Sequence, residues 1–136
     1  MVRYATLMIV AGVLTAAAAA EAPPLLAQAQ PGLWEISGAP GTNGPVHQCI
    51  ADIGALARFE HRGKSCAANV LRSAGSTTAI EYTCGGAGFG HSEIQVLTPR
   101  SLRIGTQGIS DGLPFNYVLQ AHRLDDCPKS PSVARH

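Results

Sequence analysis

The sequence has few charged residues, and its charges form no block of one sign. Charged residues make up 14% of the 136-residue chain, with ten Lys or Arg against nine Asp or Glu. Nucleic acids and anionic membrane surfaces attract clustered positive charge, which is missing here. We therefore expect no nucleic-acid partner. The one charged stretch, at positions 58–64, is interpreted as a solvated face at the end of a helix, and it contains Arg58, Glu60, His61, Arg62 and Lys64.

Closely spaced cysteine pairs are also missing. Cys49, Cys66, Cys84 and Cys127 follow one another at intervals of 17, 18 and 43 positions. A zinc site typically contains pairs such as C-x-x-C, so these intervals do not favour a metal. An even number of cysteines in a small exported chain indicates disulfide bonds instead. We expect two disulfides and no metal ion.

A catalytic motif is the third feature that the sequence lacks. The glycines at 85–90 would need a following helix to bind phosphate, but the next residues alternate as in a strand, which predicts a hairpin turn. Residues 90–93 lack the G-x-S-x-G elbow of a hydrolase. The histidines have no ligand-like spacing and are interpreted as surface or turn residues: His47, His61, His91 and His122. We expect no catalytic residue, no cofactor and no enzymatic activity.

The N-terminus has the layout of a secretion signal. Arg3 precedes an uncharged, Ala-rich run at 4–20, and small residues follow at 18–20 and 27–29. This pattern predicts a signal peptide at 1–29, with cleavage after Ala29 or, as the alternative, after Ala20. A retained membrane anchor is the competing interpretation, but the run is short for the roughly 20 apolar residues of a span. No cysteine lies nearby to carry a lipid.

The rest of the chain is long enough for one domain. Cleavage after Ala29 leaves 107 residues, which suits a single modest core. We expect one disulfide-stapled β domain at 30–128 and a disordered tail at 129–136. The protein is expected to be monomeric, periplasmic or secreted, and without a membrane span once the signal has been removed.

Alternating apolar and polar residues predict a mainly β fold. Trp34 and Ile36 share one face of the first strand, so the single tryptophan is assigned to the core. Asp52 is placed at the start of one short helix that ends near His61, with apolar side chains at 53, 56 and 59. We expect an antiparallel meander that forms a small barrel or a strongly curved sheet. The predicted strands are 31–36, 46–50, 66–73, 77–84, 89–98, 101–109 and 115–124.

The hydrophobic register predicts which residues face each other. A turn at 74–76 places Val70 opposite Ile80, and it places Cys66 opposite Cys84 on the same face. This register favours a Cys66–Cys84 disulfide, which leaves Cys49 to pair with Cys127. Pairing of Cys49 with Cys66 and of Cys84 with Cys127 stays open. The register also predicts the following pairs: Ala68 with Tyr82, Ile94 with Ile104, and Val96 with Leu102.

Several motifs together resemble a bacterial exported family of unknown function. They are the opening Pro-Gly-Leu-Trp-Glu at 31–35, His-Gln-Cys-Ile at 47–50, Tyr-Thr-Cys-Gly-Gly at 82–86, and the order of the four cysteines. The resemblance covers nearly the whole chain after the signal. It implies a location in the cell envelope and no assigned activity.

Three functions are carried forward as hypotheses. The first is a non-enzymatic domain that binds an apolar small molecule or an envelope protein, because barrel mouths commonly serve as pockets. The second is a secreted inhibitor of a hydrolase such as lysozyme, since the segment at 80–84 resembles that of bacterial lysozyme inhibitors. The third is an enzyme, which would need a nucleophile beside a base or a displaced pKa in a cleft.

Overall fold

Seven antiparallel strands form a single sheet in the computed structural model, which describes Gly12 and residues 25–129. The strands are β1 (Gly32–Ser37), β2 (Val46–Ile50), β3 (Ala67–Ala74), β4 (Thr77–Thr83), β5 (Gly88–Thr98), β6 (Ser101–Ser110) and β7 (Leu113–Asp125). Their order across the sheet is β2-β1-β7-β6-β5-β4-β3. Strands β3 to β7 form a meander, and the β1–β2 hairpin joins the free side of β7. The predicted antiparallel meander is confirmed.

The predicted register is confirmed in both hairpins for which it was derived. Val70 lies opposite Ile80 across β3 and β4, and Ile94 lies opposite Ile104 across β5 and β6. Each pair places an apolar side chain opposite another on the inner face of the sheet, although Val70, on the edge strand, stays partly accessible. A shift by one residue would turn all of these side chains toward solvent, which explains why alternation alone specified the register.

The sheet is open, so the barrel, one of the two predicted forms, does not occur. Within residues 25–129, β2 and β3 are edge strands that do not pair with each other. A small barrel fills its interior with side chains from its own strands. Here the inner face is covered instead by a helix and by the N-terminal segment, and these occupy the space that closure would need. The buried side chains of the sheet that face them are Trp34, Ile36, Ile80, Ile94, Val96, Leu102, Ile104, Leu119 and Ala121.

The predicted short helix is a 3₁₀ helix, Ile53–His61, with a kink at Arg58. Its start is confirmed, because the Asp52 carboxylate accepts a hydrogen bond from the backbone N–H of Gly54 at 3.0 Å. The buried side chains at 53, 56 and 59 are spaced by three residues. A 3₁₀ helix has three residues per turn, so this spacing places them in one row against the sheet.

The N-terminal segment, residues 25–31, also covers the sheet. It contains a short 3₁₀ turn, Leu26–Gln28, and its buried side chains at Leu25, Leu26 and Ala29 belong to the main core. Apart from Gly12, the rest of the predicted signal peptide lies outside the described residues, as does the predicted tail beyond Lys129. None of the helices within 25–129 is long and apolar enough to cross a membrane.

Two disulfides join the predicted partners. Cys49–Cys127 ties the edge strand β2 to the segment after β7, and Cys66–Cys84 ties the beginning of β3 to the end of β4. The competing pairing is therefore excluded. Disulfides are typical of proteins that mature in an oxidising compartment.

The two disulfides should differ in their contribution to stability. Cys49–Cys127 closes a loop with a sequence separation of 78, against 18 for Cys66–Cys84. In the chain-entropy model the longer loop stabilises the fold by about 1 kcal/mol more. We expect Cys49→Ser/Cys127→Ser to lower the free energy of unfolding in urea by more than Cys66→Ser/Cys84→Ser does. Equal or reversed losses would contradict this order.

Candidate functional site

The main candidate site is a cleft of about 430 Å³, which we call the apolar cleft. It lies where the two segments that cover the sheet meet strands β3 and β4. The N-terminal segment contributes Leu26, Ala29 and Pro31, and the 3₁₀ helix contributes Ile53. Ligand pockets for small molecules typically have volumes of about 300–1,000 Å³ and mainly apolar walls, so both features fit a binding site.

Strand β3 provides the wall of the cleft that is most open to solvent. All eight of its residues are exposed, because β3 lies at the edge of the sheet. Val70 lines the cleft with 47% of its surface accessible, above the buried side chain of Ile80. The next residue, Leu71, is 53% exposed but does not line the cleft. An apolar ligand in the cleft would therefore remove Val70 from water and leave Leu71 unchanged.

The polar groups around the apolar cleft are few and balanced in charge. Asp52 and Arg58 line it, and Asn69 contributes an amide from β3. The Asp52 carboxylate is already engaged with the backbone of Gly54. Among the described residues that line the cleft there is no His, Ser or Cys. None of the described lining residues pairs a nucleophile with a base.

The opposite face of the sheet has a second depression, of about 510 Å³. Its apolar part is a row across β5, β6 and β7, in which Ile109 lies between Phe89 and Pro114. Its polar part includes His91 and Glu81. No covering segment packs on these residues within 25–129, so the depression is a shallow part of an exposed sheet face.

His61 is buried, which corrects its assignment to a solvated face. It is 3% exposed, and its Nε2 lies 3.0 Å from the carbonyl oxygen of Ala87. A carbonyl only accepts, so Nε2 carries the proton, and Nδ1 accepts from the Tyr82 hydroxyl at 3.1 Å. The residue lies at the end of the 3₁₀ helix, where the chain turns beneath the Gly85–Ala87 turn. The prediction failed because both partners come from a distant hairpin.

The Gly-rich stretch forms the predicted turn, and two of its glycines make room for this buried cluster. Gly85–Ala87 is the turn between β4 and β5. A Cβ at Gly90 would lie 2.5 Å from the Tyr82 ring, and one at Gly88 would lie 1.9 Å from the carbonyl oxygen of Ile109. The glycines thus serve close packing, and no phosphate-binding helix follows them.

A second, partly buried hydrogen bond joins the 3₁₀ helix to β7. The Tyr117 hydroxyl donates to a carboxylate oxygen of Glu60 at 2.6 Å. Burial raises the pKa of Tyr117, and the hydrogen bond to Glu60 and the charge of Glu60 raise it further. Burial also raises the pKa of Tyr82 above 10.0, while the Thr106 hydroxyl lowers it in part and the Glu60 charge raises it. These groups fix the helix to the sheet.

The remaining histidines do not gather at one place. His47 Nε2 lies 2.9 Å from a Glu35 carboxylate oxygen on the exposed face of the β1–β2 hairpin. His91, on β5, lines the depression on the opposite face of the sheet, and His122 is exposed on β7. Within residues 25–129, no three side chains of the types that bind metals are close enough to hold an ion.

The segment at 80–84, on which the inhibitor hypothesis rests, is not a projecting loop. It lies in β4 and directly after it, between β3 and β5. Ile80 and Tyr82 are buried, and Glu81 and Thr83 are the exposed side chains of the strand. No described feature of this segment favours insertion into the active site of a hydrolase.

Comparisons of the chain with protein-family models, with curated proteins and with solved structures each find no match. The resemblance to an exported family therefore stays a prediction from the motifs. The features of the structure that bear on function are the geometry of the apolar cleft and the pairing of the cysteines.

The buried tyrosines predict how stability changes at alkaline pH. The pKa values of Tyr82 and Tyr117 are higher in the folded chain than in the unfolded chain. The folded state therefore keeps protons that the unfolded chain loses above pH 10, so the free energy of unfolding decreases as the pH rises beyond that value.

The measurement is a titration of residues 21–136, which contain only these two tyrosines. Absorbance at 295 nm should rise only above pH 10, the ordinary pKa of tyrosine, and it should rise together with the loss of the circular dichroism signal. A rise with a midpoint near pH 10 in a chain that is still folded would contradict the raised pKa of both hydroxyls.

Proposed function

We propose that this protein is an exported, non-enzymatic binding domain whose apolar cleft holds an apolar small molecule in the periplasm or outside the cell. The observation that carries the proposal is the cleft itself. Its walls come from three parts of the chain, and its lining is dominated by aliphatic side chains. Apolar surface at a concave site is the usual basis for binding small molecules.

The proposed location has two independent supports. Two disulfides, which include all four cysteines, favour an oxidising environment. The positively charged start, the apolar run and the small residues of the N-terminal sequence favour export by a signal peptide. The motifs that resemble an exported bacterial family agree with both.

The lining of the cleft limits the chemistry of the ligand. Val70, Ile53 and Leu26 offer only dispersion and hydrophobic contacts, so the body of the ligand should be a hydrocarbon chain or ring. Arg58 is the one cation among the described residues of the lining, and Asp52 is the one anion. A neutral or weakly polar ligand fits this balance better than a strongly charged one.

Binding of a neutral apolar fluorophore, N-phenyl-1-naphthylamine, tests the proposal. We expect saturable enhancement of its fluorescence with the oxidised chain. Binding to Val70→Gln should be about fivefold weaker, because this change replaces an apolar side chain in the wall of the cleft by an amide that loses contact with water when the ligand binds. Leu71→Gln is the matched control, because Leu71 is similarly exposed on the same strand and does not line the cleft.

The control variant should bind as the original chain does. Absence of saturable binding to the original chain, or equal losses in the two variants, would count against the apolar cleft as the binding site. Thermal unfolding of each variant checks that both keep the fold.

A further inference from the structure

We infer that the signal peptide is removed after Ala20, so that the exported chain begins at Glu21 and keeps residues 25–31 as a wall of the apolar cleft. The inference rests on the export that is part of the proposed function. The step is hydrolysis of the Ala20–Glu21 peptide bond by the signal peptidase of the exporting cell. It consumes one water and leaves a carboxylate on Ala20 and an amino group on Glu21.

Residues 25–29 contribute three buried side chains to the core. Leu25 and Leu26 are each 8% exposed, and Ala29 is 3% exposed. All three belong to the cluster that contains Trp34 and the sheet residues. Removal of these side chains would expose apolar surface that the fold buries, including surface on the 3₁₀ helix, where Leu26 lies near the backbone of Gly54.

The backbone just after Ala29 is held by hydrogen bonds. The N–H of Gln30 donates to the carbonyl of Pro99 at 2.9 Å, and the carbonyl of Gln30 accepts from the Trp34 indole at 3.0 Å. If the chain began at Gln30, that N–H would be part of a charged, mobile amino terminus. The Trp34 contact would then depend on the first residue of the chain.

The N-terminal segment also forms one wall of the apolar cleft. Leu26, Ala27 and Ala29 line it together with Pro31. Cleavage after Ala29 would remove three of these four residues and leave the cleft open on that side. The exported chain could then no longer surround an apolar ligand from three directions.

The sequence offers a suitable site upstream. Ala18 and Ala20 place small side chains at the third and first positions before the bond, and the site directly follows the uncharged run at 4–20. The small residue at 29, which favoured the later site, has another explanation in the structure. Ala29 packs in the core, where its size is set by its neighbours.

Export of the full chain from a bacterial host, followed by intact mass and N-terminal sequencing, tests the inference. The expected product is residues 21–136, with 116 residues. A product that begins at Gln30 would overturn the inference and leave the export proposal intact. A chain that is never processed or never leaves the cytoplasm would overturn both.

A pair of variants locates the cleavage site independently of folding. Ala20→Leu removes the small residue before the inferred bond, and we expect the unprocessed chain to accumulate at least tenfold. Ala27→Leu removes the small residue at the third position before the later bond, and Ala27 is exposed, so this control should be processed normally. Block of processing by Ala27→Leu but not by Ala20→Leu would overturn the inference.

Two defined chains test the role of the segment directly. Residues 21–136 and 30–136 are each exported behind the same foreign signal. We expect the shorter chain to unfold at a temperature about 10 °C or more lower, and to lose saturable binding of N-phenyl-1-naphthylamine. Equal unfolding temperatures and equal binding would show that residues 21–29 are dispensable and would overturn the inference.

Discussion

Burial of the inner face of the sheet is the constraint on which the rest of this structure depends. A sheet with one apolar face is stable only when something covers it, and seven strands expose more surface than one nine-residue helix can cover. The N-terminal segment supplies the remaining cover around Trp34, which is fully buried. Ser92 adds a polar link, because its hydroxyl donates to the carbonyl of Ala57 on the helix. Helix, segment and sheet therefore stabilise one another.

The apolar cleft exists because the helix and the N-terminal segment do not cover the whole inner face of the sheet. The helix and the N-terminal segment end before they reach the edge strand, so Val70 on β3 faces the gap that they leave. The gap has a floor, because Ile80 on the neighbouring strand is buried beneath it. The Cys66–Cys84 disulfide holds the beginning of β3 against β4. A wall that is both exposed and covalently anchored can contact a ligand without first having to become ordered, which lowers the entropic cost of binding.

Alternation along single strands predicted the strands, the register and the Cys66–Cys84 disulfide, because side-chain period and pairing within a hairpin are local or nearly local properties. The Cys49–Cys127 disulfide was predicted as the pair that remained. The spacing of three at 53, 56 and 59 predicted a helix but not its 3₁₀ type, since an α-helix also places such residues on one face. The sequence left a closed barrel and a curved sheet as alternatives, and burial of His61 was mispredicted, because both features depend on contacts between segments far apart in sequence. The cleft was missed for the same reason. Its walls at Leu26, Ile53 and Val70 share no motif, and only the folded chain brings them together.

One irregularity in β3 has a consequence for the behaviour of the protein at high concentration. The pairing with β4 shifts between Val70 and Arg72, so Leu71 is an extra residue that bulges from the ladder. Arg72 beyond it forms an ion pair with Glu93 at 3.0 Å. A flat, uncharged edge strand would be a template for joining sheets of separate molecules into aggregates, and bulges and charges interrupt such templates. Val70 can thus stay exposed on β3 without making this edge strand a site where separate molecules pair and aggregate.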